Sequence, residues 1–189
     1  MYQTAMKPRY REKKATQAAA LLVRLGGGSM NYMKLGKLLY FAERASVLKL
    51  GRPILFDTCV SMEHGPVLSR TLDSINGKNM SAAPSWNHLI SAKADFSVSL
   101  IVSDVPTDEL SAGEERMLQE TFAQFGHLTQ YQLRDYAHDH FREWKNPGKS
   151  TLPISVRDIL QAENYSDEDI ADIEGELLAA TAGDRLANA

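Results

Sequence analysis

The run Met33-Lys34-Leu35-Gly36-Lys37-Leu38-Leu39-Tyr40-Phe41-Ala42 decides how this chain is read. Leu35, Leu38, Leu39, Ala42 and Ala45 recur at spacings of three and four, so they line one side of a helix that faces a core. Asn31 stands where a capping side chain belongs, and Gly51 where the chain turns out of a helix, so the helix is expected to end near Leu50. Opposite this run stands Glu63-His64-Gly65-Pro66-Val67. Gly65 permits backbone angles that other residues avoid, and Pro66 has a φ suited to the first position of a helix. The pattern predicts a turn followed by a helix from Pro66 to Ile75.

On either side the chain alternates helical patterns with short breaks. Ala15, Ala18, Ala19, Leu22 and Leu25 predict a first helix over Tyr10 to Leu25, ended by Gly26-Gly27-Gly28. Thr58 to Met62 reads as a short strand with one exposed edge, and Lys78 to Ser91 as a loop pinned by Trp86. Ala94 to Val102 reads as a half-buried strand with Phe96, Val98, Leu100 and Val102 inward. Ser111 with Glu114 has the spacing of a capping box ahead of Leu118, Thr121, Phe122 and Phe125, and Gly126 ends that helix. Thr129 caps another with Leu133, Tyr136 and Ala137 inward, which carries His138-Asp139-His140 and leads to Phe141 and Trp144. Asn146-Pro147-Gly148 breaks the chain. Two more helical units are expected, Ser155 to Gln161 and Asp167 to Ala182, the second opened by Ser166 with Asp169 and frayed from Ala182 onward. The fold class is mainly α with a small β element (α+β), in a single compact helical domain.

A chain of 189 residues is long enough for one domain with a real core. The formal net charge of −3 hides an asymmetry. Residues 1–14 hold Lys7, Arg9, Arg11, Lys13 and Lys14 against Glu12, a net +4, whereas residues 157–189 hold nine acids against Arg157 and Arg185, a net −7. Such polarity orients a charged partner at long range, or it simply solvates two ends. Cys59 is the only cysteine, which rules out an internal disulfide and a cysteine-rich metal site. With no apolar run of about twenty residues and no apolar leader, a cytoplasmic protein without a membrane anchor is expected.

Candidate chemistry is thin. Gly36-Lys37 lacks the rest of a phosphate-binding loop, because Leu38 stands where the magnesium-binding hydroxyl belongs and the pair lies within a helix. His138 and His140, two residues apart, point to opposite sides of a helix and do not form the pair that helical zinc sites use; no metal or cofactor is expected. Glu63 beside His64 offers an acid–base pair in composition, yet neighbours in extended chain point to opposite faces. Ser61 and Ser69 lack the glycine-flanked elbow of a nucleophilic serine. A basic arm with Lys34, Lys37 and Arg44 is offset by the acidic C-terminus, so DNA binding is not expected.

The Lys37-Leu38-Leu39-Tyr40-Phe41-Ala42 helix, Gly51-Arg52-Pro53, a short strand, His64-Gly65-Pro66-Val67 and a later histidine-bearing segment ending in Trp144-Lys145 together resemble the Panacea domain of SocA-like antitoxins. The resemblance spans roughly Tyr10 to Tyr165. Its most specific piece is the His-Gly-Pro-Val element about twenty-five residues beyond the Lys-Leu-Leu-Tyr helix. It implies a Panacea-like domain at 10–165, beside which the charge and helical patterns give a flexible basic arm at 1–9 and an acidic C-terminal helix with a frayed tail at 166–189. It also implies a non-enzymatic antitoxin that binds and neutralises a toxin encoded in the same operon, the SocA type in addition delivering its toxin to the protease ClpXP. On that reading the candidate toxin-binding residues are Tyr40, His64, Gly65, Pro66, Val67 and Trp144; the alternative for Tyr40 and Trp144 is that they fill the core, which for Trp144 is evenly balanced. The alternative is a small hydrolase or nucleic-acid-modifying enzyme using His64, Glu63 or His138.

Overall fold

The computed structural model describes residues 10–78 and 84–186. The arm expected over 1–9, part of the loop expected over Lys78 to Ser91 and the final residues of the expected frayed tail lie outside the described residues. In chain order the elements are α1 (Glu12–Leu25), β1 (Ser29–Asn31), α2 (Tyr32–Leu50), β2 (Cys59–Met62), β3 (Gly65–Leu68), α3 (Ser69–Ile75), α4 (Pro84–Leu89), β4 (Ser97–Ser99), α5 (Ala112–Phe125), α6 (Gln130–His140), β5 (Leu152–Ile154), α7 (Val156–Ala162) and α8 (Asp167–Leu186). The architecture is α+β and mainly helical.

Helix α2 is the axis of the packing. The Asn31 side chain accepts from the backbone N–H groups of Met33 and Lys34, and Gly51 leaves the helix at φ +67, both as the sequence predicts. Leu35, Leu38, Leu39 and Ala42 are buried, but so are Lys37, Tyr40, Phe41, Glu43, Arg44, Ser46 and Val47. A helix buried on most of its circumference is enclosed by neighbours rather than laid on a core. Here α1, α5, α6, α7 and β3 surround it. Helix α1 comes close because its inward residues include Ala15, Ala18, Ala19 and Ala20.

Glu43, fully buried, accepts from the N–H of Ile54 at 2.8 Å and of Leu55 at 2.9 Å, which holds the chain after α2 against the helix. Burial nevertheless raises its carboxyl from 4.5 to about 7. Helices α5, α6 and α7 open with capping boxes at Ser111/Glu114, Thr129/Gln132 and Ser155/Asp158.

Two small antiparallel sheets complete the fold. One pairs β1 with β4, Met30 opposite Val98; the other has the order β3-β2-β5. The strand expected at Thr58 to Met62 is therefore central, not exposed at an edge, because β5 covers it through Cys59 opposite Ile154 and Ser61 opposite Leu152. The Ser69 N–H donates to the Thr58 carbonyl, which sets the alternation of the hairpin ladder. Val67 then bonds toward Val60, while Pro66 turns its backbone away from β2; on the far side Pro153, opposite Val60, does the same.

Several expectations are corrected. Pro66 does not start a helix: it lies in β3, and α3 begins three residues later at Ser69. Part of the expected loop is α4, whose Trp86 is buried. The expected strand from Ala94 is cut short because the chain reverses at Asp95 (φ +47) and Phe96 (φ +59), leaving Phe96 74% exposed instead of inward. The last helix continues past Ala182 to Leu186.

Candidate functional site

The His-Gly-Pro-Val element closes the β2–β3 hairpin. Glu63 and His64 form the loop; neither has a positive φ, and the positive angle falls on Gly65 at +95. A glycine following such a turn absorbs the conformation that brings the second strand into register. Gly65 is also a point of close approach: a Cβ there would lie 2.8 Å from Lys37 Nζ and 3.4 Å from His138 Nε2.

Three elements hold the turn from beneath. Lys37 of α2 donates from Nζ to the outward-facing Pro66 carbonyl at 2.9 Å. Trp144, after α6, donates its indole N–H to the Met62 carbonyl at 2.9 Å, and the next residue, Lys145, donates its backbone N–H to Ser61 Oγ at 3.3 Å. His138 lies flat on the Trp144 ring, centroids 3.8 Å apart at 11°. The segment bearing Trp144 is itself anchored by Glu143, whose buried carboxylate accepts from Tyr40 Oη at 3.0 Å and Arg44 Nε at 2.8 Å. Arg44 also pairs with Glu163 and lies over the Phe141 ring.

Charge here is unusual. Lys37 is 3% exposed and donates to a carbonyl, not to a carboxylate; burial first, and then Arg134, lower it from 10.5 to about 7. Burial, with Lys37 and Arg134 as further causes, also lowers His138, whose buried Nε2 has no hydrogen-bond partner.

Of the sequence candidates, Gly65, Pro66, Val67 and Trp144 come together at the hairpin with His64 exposed at its tip. Tyr40 has no exposed surface and acts from inside, through Glu143. Trp144 is half-buried, shared between support and surface. Lys37, Arg44 and Glu143 were not singled out as parts of this site from sequence. A lysine between Gly36 and Leu38 and a glutamate between Arg142 and Trp144 give no periodic signal that they are buried.

The alternative enzyme candidates are dispersed. Glu63 and His64 are both exposed on the loop, whereas His138 is stacked on Trp144 below it. His140 turns the other way, stacked on Tyr136. Among the described residues no group of three or more His, Cys, Asp or Glu could hold a metal ion, and no helix is long and apolar enough to cross a membrane. The crevice on the Val67 flank, between α2 and α3, is lined by Leu39, Val67, Leu68, Leu72 and Ile75 with Thr71 and Gly36, and is too narrow for a water molecule.

The family model for the antitoxin SocA-like Panacea domain matches residues 35–145. The chain belongs to this family. The matched Panacea span starts within α2 and ends at Lys145, so it contains the whole hairpin, Lys37, Glu143 and Trp144, while α1 and α8 fall outside it. No curated protein and no solved structure matches the chain.

Proposed function

We propose that this Panacea-domain protein neutralises the toxin of its own operon by direct binding, without bond-breaking chemistry, and that the β2–β3 turn is part of the surface that binds. The observation that carries this reading is the support on both sides of the turn: Met62 O is held by Trp144 and Pro66 O by Lys37, with His64 outward. A loop held in one conformation loses little entropy on meeting a partner, which strengthens binding without additional contacts. His64, Val67 and the exposed part of Trp144 are the contact candidates. Gly65 and Pro66 supply shape, and Tyr40 supports them through Glu143.

The test is co-expression with the protein encoded by the adjoining reading frame, reading growth, co-purification and toxin level together. Growth rescue with a stable complex supports occlusion. Rescue with toxin loss that requires ClpXP assigns delivery to the protease. Rescue with neither complex nor toxin loss overturns neutralisation by binding and favours an enzyme acting through His64, Glu63 or His138.

A further inference from the structure

The most exposed large apolar side chain among those described with substantial exposure is Phe96, at 74%. It stands at the tip of a tight reversal in which Ala94 and Ser97 exchange both backbone hydrogen bonds at 2.9 and 2.8 Å. Asp95 and Phe96, the two residues between them, both have positive φ, +47 and +59. That two-residue turn favours Asn and Gly, and a bulky aromatic there is a conformational outlier. The fold does not use the ring to offset this cost, since the ring faces solvent. Such strain concentrates where a side chain must be presented.

The tip is braced. The Phe96 carbonyl accepts from the Tyr32 N–H at 3.0 Å, at the first turn of α2. Lys93 donates to Asn76 Oδ1 at 2.8 Å and lies 4.3 Å over the Tyr32 ring. Asn76 ends α3, the helix that follows directly from β3. One continuous run therefore joins the strand after the His64 turn to the Phe96 tip.

We propose that Phe96 is a preformed anchor that enters an apolar cavity on the toxin, a second point of contact beyond the His64 turn. This rests on the reading that the chain acts by binding a toxin. A single rigid aromatic on a polar tip fits a pocket on a protein, where a few such residues carry most of the affinity. The neighbouring Asp95 offsets the charge of Lys93 at the same turn, so the tip offers no net positive charge to the phosphates of nucleic acid or of an anionic membrane.

The experiment uses the full chain, titrated with the purified protein from the adjoining reading frame, with Phe96→Gly and Asp95→Gly beside the wild type. Phe96→Gly is expected to weaken binding by about tenfold or more. Its thermal midpoint should be unchanged or higher, because glycine adopts a positive φ freely. Asp95→Gly relieves the same turn but keeps the ring, and should bind within about threefold of wild type. Equal binding by Phe96→Gly and wild type overturns the anchor while leaving toxin binding in place. A lowered midpoint for Phe96→Gly, an equal loss in both variants, or self-association of the wild type abolished by Phe96→Gly also overturns it. No complex with the wild-type chain overturns the proposed function, and the anchor with it.

Discussion

Lys37 and Pro66 are joined by a 2.9 Å hydrogen bond from the lysine Nζ to the proline carbonyl. The bond ties the central helix to the candidate turn at a point where Pro66, lacking an N–H, leaves its carbonyl facing away from β2. Turn geometry and core integrity are thereby coupled through one side chain.

Stability should dip near neutral pH through two groups of opposite sign. Glu43 is raised from 4.5 to about 7, so the folded chain holds its proton more tightly and this contribution is lost as pH rises through that window. Lys37 is lowered from 10.5 to about 7, so the folded chain holds its proton less tightly and stability is regained as pH rises from about 7 toward 10.5. The groups acting on Lys37 and its neighbour His138 include Arg134, Asp135 and Asp139, so variants are needed to isolate each slope. Denaturant unfolding at about pH 5, 7 and 9 should show Glu43→Gln flattening the first slope and Lys37→Met the second. Wild-type slopes in both variants would refute the assignment.

His64→Gln should keep most neutralising activity, because Gln preserves hydrogen-bonding capacity at an exposed position. Gly65→Val should lose it. The substitution places a β-branched side chain at φ +95, at a cost of about 1–3 kcal/mol, and drives its Cβ against Lys37 Nζ. Far-ultraviolet circular dichroism should show most of the helical signal surviving. The reverse ranking, with a turnover activity lost in His64→Gln, would point to catalysis.

Leu38→Ala or Leu39→Ala should destabilise the fold by about 2–5 kcal/mol, as expected for emptying a packed interior. Both side chains are buried against the enclosing helices, at 0% and 1% exposure. Chemical denaturation measures this directly, and a loss below about 0.5 kcal/mol at both positions would misplace the core.

Glu143→Ala should cost about 3–5 kcal/mol, because it strands Arg44 and the Tyr40 hydroxyl inside the protein. Residual pairing of Arg44 with Glu163 argues for the lower end. Combining Glu143→Leu with Arg44→Met should recover much of the loss, since an apolar pair needs no desolvated charge. A double variant as unstable as Glu143→Ala would show that the stranded Tyr40 hydroxyl or the packing around Trp144, and not the stranded charge, sets the cost.

Much of the helical framework was legible in sequence because its signals are local. Asn31 and Gly51 bound α2, and Ser111, Thr129 and Ser155 open later helices with side chains that bond within one turn. What was illegible depends on distant partners. Pro66 suits a helix start in isolation and becomes a strand residue only because β2 and Lys37 flank it. Leu152-Pro153-Ile154 carries a proline that argues against a strand until β2 lies beside it. Alternation from Ala94 to Val102 gives no warning of a reversal at Asp95-Phe96, because the usual glycine or asparagine is missing. The His-Gly-Pro-Val turn was visible as a motif, but its support by Trp144, 82 residues from Met62, was not.

The two outward-turned prolines, Pro66 on β3 and Pro153 on β5, leave neither rim of the three-stranded sheet with a full row of donors for a visiting strand. Copies of this protein crowded together therefore have little means of stitching sheet to sheet. A strand laid along either rim would meet an interrupted ladder of hydrogen bonds, so the three-stranded unit resists extension by further copies of itself.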